Sequence, residues 1–189
     1  MADDLRTVLR RATAAVHEQL DRCIAKLELD RADQYRMFLL AHARVVLPLE
    51  QWLETTGMSD ELPDWPSRRR RALLMDDLHR LSAVPPPACT MSFDNARATR
   101  IGMLYALEGS RLGGFILARR VAANPSLPRS FLMHGYQDDV WGGFVNWLNE
   151  RELELREIET AACSALQVFK LYLQAFGALS VTSDRADGR

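Results

Sequence analysis

Residues 100–117 read Arg-Ile-Gly-Met-Leu-Tyr-Ala-Leu-Glu-Gly-Ser-Arg-Leu-Gly-Gly-Phe-Ile-Leu and lie inside a long helical pattern from about Asp94 to Ala123. This pattern holds four glycines, and each glycine costs about 1 kcal/mol relative to alanine inside a helix. The glycines at 102, 109 and 113 fall with Ala106 on nearly one helix face, which therefore has almost no side chains. Such a face permits close packing of another helix, or lets a broad flat molecule lie against the backbone. Both interpretations stay open at this point.

The remaining sequence is helical as well. The first segment has one apolar stripe at helical spacing, and Asp3 or Asp4 can cap its start. A second segment, 30–54, begins with Asp30 as a capping residue and contains Pro48, which should kink or break it. A third segment covers 67–81 and begins with a capping serine. Two C-terminal segments, 140–149 and 150–179, could form one bent helix.

These patterns predict an all-α fold, because no stretch shows the period-two alternation of a half-buried strand. Three consecutive prolines at 85–87 interrupt the pattern, but neither half of the chain shows a complete core by itself. We therefore expect one domain over residues 1–180, followed by a polar C-terminal tail at 181–189.

Composition excludes several classes of protein. The chain has 189 residues and a formal net charge of −1, so no global charge favours binding to nucleic acid or to an anionic membrane. No apolar run is long enough for a membrane span, and the charged N-terminus does not resemble a secretory signal. The three cysteines are far apart and suggest neither a disulfide framework nor a metal pair. These features predict a cytoplasmic protein with no nucleic-acid or membrane partner.

The four histidines show no spacing typical of a multi-histidine metal site. We expect His42 to be a hydrogen-bonded core residue, and His79 and His134 to be solvated, as we also expect for the arginine run 68–71. His17 lies beside the apolar stripe of the first helix. It is either a structural residue or the single axial ligand of a haem iron, with its other ring nitrogen held by a hydrogen-bond acceptor.

Two motifs together resemble the haem oxygenase family. The stretch 9–21, Leu-Arg-Arg-Ala-Thr-Ala-Ala-Val-His-Glu-Gln-Leu-Asp, is similar to the family's N-terminal helix, which carries the proximal histidine. The stretch 105–114, Tyr-Ala-Leu-Glu-Gly-Ser-Arg-Leu-Gly-Gly, is similar to its glycine-rich distal helix, especially in bacterial members encoded beside phytochromes. The resemblance extends from about Asp4 to Phe176 and is strongest at these two stretches. It implies a single-domain helical fold that holds haem between the two helices.

The resemblance also implies roles for individual residues. His17 matches the proximal ligand of the haem iron, and Gly109 and Gly113 match the distal glycines beside the haem face. Ser110 falls where many members carry an aspartate or another polar residue that orders water near bound oxygen. We therefore expect Gly109, Ser110 and Gly113 to be catalytic. The other residues expected to contact haem are Arg10, for a propionate, and Thr13, Tyr105, Gly114, Leu166 and Phe169.

The implied activity is the opening of haem b to biliverdin, with release of carbon monoxide and ferrous iron. O₂ and electrons would be needed, the electrons coming from an external reductase or ferredoxin, and a biliverdin-using phytochrome is a candidate partner. Two other hypotheses stay open. One is a non-catalytic helical protein that binds or carries haem. The other is a helical enzyme of the thiaminase-like fold, which would need a catalytic residue such as Cys23 or Cys163 in its pocket.

Overall fold

The computed structural model describes residues 4–136 and 138–186, with side chains as far as residue 178. Every regular element in these ranges is a helix, so the predicted all-α class is confirmed. No helix in the same ranges is both long enough and apolar enough to cross a bilayer. The helices are α1 (Leu5–Ala25), α2 (Ala32–Thr55), α3 (Met58–Glu61), α4 (Trp65–Arg68), α5 (Arg71–Arg80), α6 (Arg97–Val121), α7 (Ser130–Met133), α8 (Val140–Asn149) and α9 (Leu155–Ala186).

The long helix α9 lies at the centre of the fold and packs on α1, α2 and α6. Its inward face is made of small and aromatic side chains, including Ala161, Ala165 and Phe169, all buried. The predicted stripe of α1 supplies the facing surface. The Asp4 carboxylate caps α1 by accepting a 2.7 Å hydrogen bond from the Thr7 amide.

Helices α6 and α9 cross in close contact at Gly102. A Cβ atom on this glycine would lie 2.8 Å from the Ala161 carbonyl carbon, and closer still to Ala161 O and Ser164 Oγ. The Ser164 hydroxyl donates to the carbonyls of Thr99 (3.1 Å) and Ala161 (3.0 Å), so the polar group inside this contact is satisfied. At this end of α6 the glycine face therefore serves helix packing.

Helix α2 runs unbroken through Pro48, contrary to one of the two outcomes expected from sequence. A proline cannot donate to the carbonyl four residues earlier, which here belongs to Arg44. That carbonyl accepts a 3.0 Å hydrogen bond from the Cys89 amide instead. The proline-rich segment is thus held against α2 at the position where the helix lacks one of its own bonds.

Three other segment predictions need correction. Asp30 does not cap α2, because the N-cap residue is Arg31. The expected single helix at 67–81 is divided into α4 and α5 at residues 69–70, where the backbone turns to meet Glu50 of α2. The C-terminal segments are separate helices, α8 and α9, rather than one bent helix. Helix α9 continues to Ala186 through most of the predicted tail, and residues 187–189 of that tail lie outside the described ranges.

The crossing at Gly102 gives a stability prediction. We expect Gly102→Ala to lower the free energy of unfolding by about 1–3 kcal/mol, because the new methyl group meets backbone atoms that cannot move independently. Gly177→Ala in α9 is the matched control, since nothing lies within 4 Å of its Cβ position, and it should raise stability by up to about 1 kcal/mol. Urea unfolding measures both, and equal effects of the two substitutions would contradict the close crossing.

Candidate functional site

A cleft opens between α1 and α6, with α9 at its base. Its inner part is a cavity of about 440 Å³. Five helices contribute to its largely apolar wall. The lining residues include Leu20 and Ile24 of α1, Phe38 and His42 of α2, Leu117 of α6, Phe131 and Leu132 of α7, and Phe169 and Tyr172 of α9.

The outer part of the cleft carries charges of both signs. It is a cavity of about 350 Å³ whose lining includes the arginines Arg6 and Arg10, the carboxylates Glu18 and Asp21, and also Thr13, Tyr105 and Trp141. The Arg6 guanidinium lies 5.9 Å from the centre of the Trp141 ring. The inner and outer cavities share five lining residues and are thus continuous; these are His17, Asp21, Gly109, Leu112 and Phe169. The cleft therefore has a largely apolar interior and a charged outer end, where two arginines are available to an anionic group.

Gly109 and Gly113 form the α6 wall of this cleft, and neither is required by packing within the chain. A Cβ atom on Gly113 would meet nothing within 4 Å, and one on Gly109 would meet only the Trp141 ring, at 3.9 Å. An alanine would fit at both positions and would stabilise the helix by about 1 kcal/mol each. The glycines leave bare backbone toward the cleft, so the second interpretation of the glycine face applies at this end of α6.

His17 stands on the α1 wall, at the junction of the two cavities. About half of its side chain is exposed, which is unusual for a residue packed against a core ring. Its Nδ1 atom lies 2.9 Å from the Asp21 carboxylate one turn later, and its ring meets the Phe169 ring edge-on at 5.3 Å between centroids. These two contacts orient the ring with Nδ1 toward the carboxylate, so that Nε2 is the ring nitrogen available to a metal.

One buried charged group of the inner cavity is Arg70, which sequence reasoning placed in solvent. Its side chain donates from Nη2 to the Ser110 hydroxyl (2.7 Å) and to the Leu107 carbonyl (2.9 Å). Its guanidinium stacks on Phe131, and its Nε–H has no hydrogen-bond partner among the described residues. Burial, with repulsion from Arg111, lowers its pKa to about 10, so it stays charged at neutral pH.

Two carboxylates hold the arginines in place behind α6. Glu50, buried in α2, accepts from the backbone amides of Arg70 and Arg71 and so caps the start of α5. Burial raises the pKa of Glu50, and these amides oppose that rise. Glu108 accepts from Arg68 at 2.9 Å and from two nitrogens of Arg111 at 2.8 and 2.9 Å. Arg68 and Arg111 are therefore paired with a buried carboxylate, whereas Glu50 is satisfied by backbone amides.

Two buried titratable side chains of the inner cavity, His42 and Tyr172, are neutral at pH 7. Burial lowers the pKa of His42 to about 4, and its Nδ1–H donates to the Phe38 carbonyl at 2.9 Å. Burial raises the pKa of Tyr172 to about 12, although the Ser110 hydroxyl opposes that rise. The Nε–H of Arg70 is a buried donor that a small polar ligand or water would satisfy.

The structure brings most of the predicted site residues together. They lie in the cleft as follows: His17, Gly109, Ser110, Gly113, Gly114 and Phe169 in the inner cavity, and Arg10, Thr13 and Tyr105 in the outer one. Leu166 does not line the cleft and packs against the core instead. Gly114 is also close to α7, since its Cβ position is 3.3 Å from the Leu132 carbonyl oxygen.

Several surface predictions are wrong. Arg68 and Arg70 are buried, whereas Arg69 and Arg71 of the same run pair with Glu54 nearer the surface. His134 is half-buried because its Nδ1 accepts from the Arg111 guanidinium at 2.7 Å.

His42 is the hydrogen-bonded core histidine that was predicted, but it also lines the cleft. Cys23 and Cys163 are exposed, and neither is among the lining residues.

Arg70 is the most important residue that sequence reasoning missed, although a signal was present. Leu74 and Leu78 follow it at intervals of four and lie on the buried face of α5. Helical periodicity thus puts position 70 on that same face. The Glu50 cap could not be foreseen, because it depends on the spatial meeting of α2 with the start of α5.

The comparison of sequences finds one kind of relative. No protein-family model matches the chain. The protein named heme oxygenase from Xanthomonas campestris pv. campestris is 39% identical over 93 residues. The match covers 47% of this chain and 53% of that protein, so it spans about half the length of the relative.

The comparison of structures covers nearly the whole chain. The heme oxygenase of Neisseria meningitidis, solved with NO and CO bound, superimposes with a TM-score of 0.81 at 22% identity, over 94% of this chain and 92% of that one. The heme oxygenase of Leptospira interrogans gives 0.71 at 20% identity, over 92% and 98%. The narrower likeness to members encoded beside phytochromes stays a prediction. The resemblance drawn from the two helix motifs is confirmed: this chain has the haem oxygenase fold and is similar in sequence to a haem oxygenase.

Proposed function

We propose that this protein is a haem oxygenase, which binds haem b as its substrate and opens the ring to biliverdin, carbon monoxide and ferrous iron. The proposal rests on the two opposite walls of the cleft, which differ in a way that suits haem. An oriented imidazole stands on one wall, and the other has two glycines that the chain's own packing does not need. The name of the Xanthomonas relative and the fold support the same activity.

The cleft suits the shape and polarity of haem, a flat and largely apolar substrate with two carboxylates. The apolar inner cavity would take the ring. At the outer end, Arg6 and Arg10 supply charge and the Tyr105 hydroxyl supplies a donor for the propionates. Burial raises the pKa of Tyr105, although the Thr13 hydroxyl opposes that rise, so the phenol stays protonated at neutral pH.

His17 would bind the haem iron through Nε2. The Asp21 carboxylate, 2.9 Å from Nδ1, holds the ring orientation and makes the imidazole a stronger base toward the metal. The edge-on Phe169 ring prevents the imidazole from turning away. In the complex that we propose, this coordination bond would be the one bond between the haem iron and a protein side chain.

The α6 wall would determine what happens on the opposite face. Gly109 and Gly113 admit O₂ close to the helix backbone, where no side chain competes for the space. Ser110 accepts from Arg70 and donates to the Leu107 carbonyl at 2.6 Å, so its hydroxyl is held in one orientation. Arg70, which donates to this hydroxyl, would place positive charge beside the position and favour an anionic oxygen there.

The proposed reaction consumes O₂ and electrons, and we propose that the electrons come from an external reductase or ferredoxin. Reaction in the cytoplasm belongs to the same proposal. Bound haem would supply the oxidising chemistry through its own iron and O₂. The chain's part is to bind and orient the ring, to keep the inner cavity apolar, and to present a charged donor at one place.

One optical experiment tests the proposal. The purified protein is titrated with hemin and then given ascorbate in air with catalase present. We expect a histidine-ligated Soret band that disappears under reductant while a biliverdin band grows. Catalase removes free peroxide, so ring opening by a non-enzymatic side reaction is suppressed.

Two other outcomes would contradict the proposal in different ways. A Soret band that persists under reductant would make the protein a haem carrier. A failure to bind hemin in stoichiometric amount would exclude haem as the substrate and would favour the alternative of a thiaminase-like enzyme.

Substitutions at His17 test the axial ligand. We expect His17→Ala to lose the histidine-ligated spectrum and most of the turnover, because His42, the other histidine that lines the cleft, is buried. Asp21→Asn should keep ligation but shift the Fe–His stretching frequency in resonance Raman spectra. The reason is that a neutral amide is a weaker hydrogen-bond acceptor for the Nδ1–H than a carboxylate. An unaltered hemin spectrum in His17→Ala would exclude His17 as the ligand.

Substitution at Gly113 tests the open wall. We expect Gly113→Leu to cut turnover at least about tenfold, because the side chain fills space that the cleft leaves free, while helix content and urea stability stay at or above the wild-type values. Gly113→Ala is the graded control and should have a smaller effect. Wild-type turnover in Gly113→Leu would show that nothing lies against this wall during the reaction.

A further inference from the structure

A second groove lies on the outer surface of α6, next to the cleft. It has a volume of about 690 Å³ and is bordered by α6 and the α7 region. Its centre is apolar and open to solvent. Its large exposed side chains, with exposed fractions, are Leu112 (51%), Ile116 (66%), Met133 (38%) and Tyr136 (59%). Exposed apolar residues gathered in one place are typical of a protein-binding surface.

The rim of this groove is basic. Arg119 and Arg129 line it, and both are exposed. Arg129 also borders a smaller neighbouring groove, which Arg80 joins. No aspartate or glutamate is among the described residues that line either groove. The local charge is thus positive on a chain whose net charge is −1, which complements an acidic partner.

The groove and the cleft share a wall. Leu112 and Ile116 line both, so they separate the outer surface from the proposed haem position by the thickness of one side chain. A protein seated on the groove would therefore lie near the edge of the substrate. The outer end of the cleft differs in charge, because Glu18 and Asp21 line it beside Arg6 and Arg10, and its arginines are assigned to the propionates.

We propose that this groove docks the electron donor, a small redox protein with an acidic surface. This inference rests on the proposed function, since only a haem reaction needs such a donor here. In the first encounter the donor is oxidised by one electron, and the ferric iron of the bound haem is reduced to ferrous. No bond is formed or broken in that step. The apolar centre supplies contact area, while the basic rim steers the encounter.

The test compares two ways of supplying electrons. A plant-type [2Fe–2S] ferredoxin, kept reduced by its NADPH-dependent reductase, is the protein donor, and ascorbate is the small-molecule donor. The variant is Arg119→Glu with Arg129→Glu. The matched control is Arg36→Glu with Arg156→Glu, which changes net charge equally at two exposed arginines away from the groove. None of these four residues lines the cleft.

We expect the groove variant to raise the KM for ferredoxin by about tenfold or more and to lose most of the salt dependence of the wild-type rate. Hemin binding and ascorbate-driven turnover should be unchanged in all variants. The control variant should shift the KM for ferredoxin by less than about twofold.

The failures are distinguishable. Absence of ascorbate-driven turnover in the wild type would overturn the proposed function itself. Sound ascorbate turnover with equal effects of the two variants on the ferredoxin KM would overturn the docking site alone. A ferredoxin that neither binds nor reduces the wild-type haem complex would overturn it too, as would self-association of the wild type that the groove variant abolishes in sedimentation.

Discussion

The close crossing of α6 and α9 at Gly102 determines where the rest of the site can be. Positions 102, 109 and 113 share one face of α6, because intervals of seven and eleven residues are nearly whole numbers of helical turns. At Gly102 this face meets the Ala161 carbonyl with no room for a side chain. Farther along, α9 no longer covers the face, and the same row of glycines becomes a wall of the cleft. A rotation of α6 about its axis would spoil both the crossing and the wall.

The buried arginines extend this arrangement to the charge of the site. Arg68, Arg70 and Arg111 are all nearly inaccessible, and so are the carboxylates of Glu50 and Glu108. Ion pairs of this kind repay the loss of hydration only when their geometry is good. Their contacts here tie α2, α5 and α6 to one another. As a result, the Arg70 guanidinium is held in a fixed position beside Ser110, on the cleft side of α6.

Much of this could be predicted from the sequence, for reasons that differ between elements. The helices follow from apolar periodicity, and His17 and the two cleft glycines follow from local motifs with a known family likeness. The division at 69–70 could not be predicted, because it depends on a carboxylate twenty residues earlier in α2. Four consecutive arginines look solvated to any local rule, and only the contact with Glu50 decides which of them turn inward. Tyr172 joins the site for a similar reason, through the packing of α9.

The hydrogen bond between the Cys89 amide and the Arg44 carbonyl uses backbone atoms on both sides. It exists because Pro48 leaves that carbonyl without its helical donor. The thiol of Cys89 has no part in this hydrogen bond, although the side chain packs against the core. For the hydrogen bond itself, any amino acid with a backbone N–H would serve at position 89. Proline is the one residue that would not, for the same reason that Pro48 leaves the Arg44 carbonyl without a helical donor.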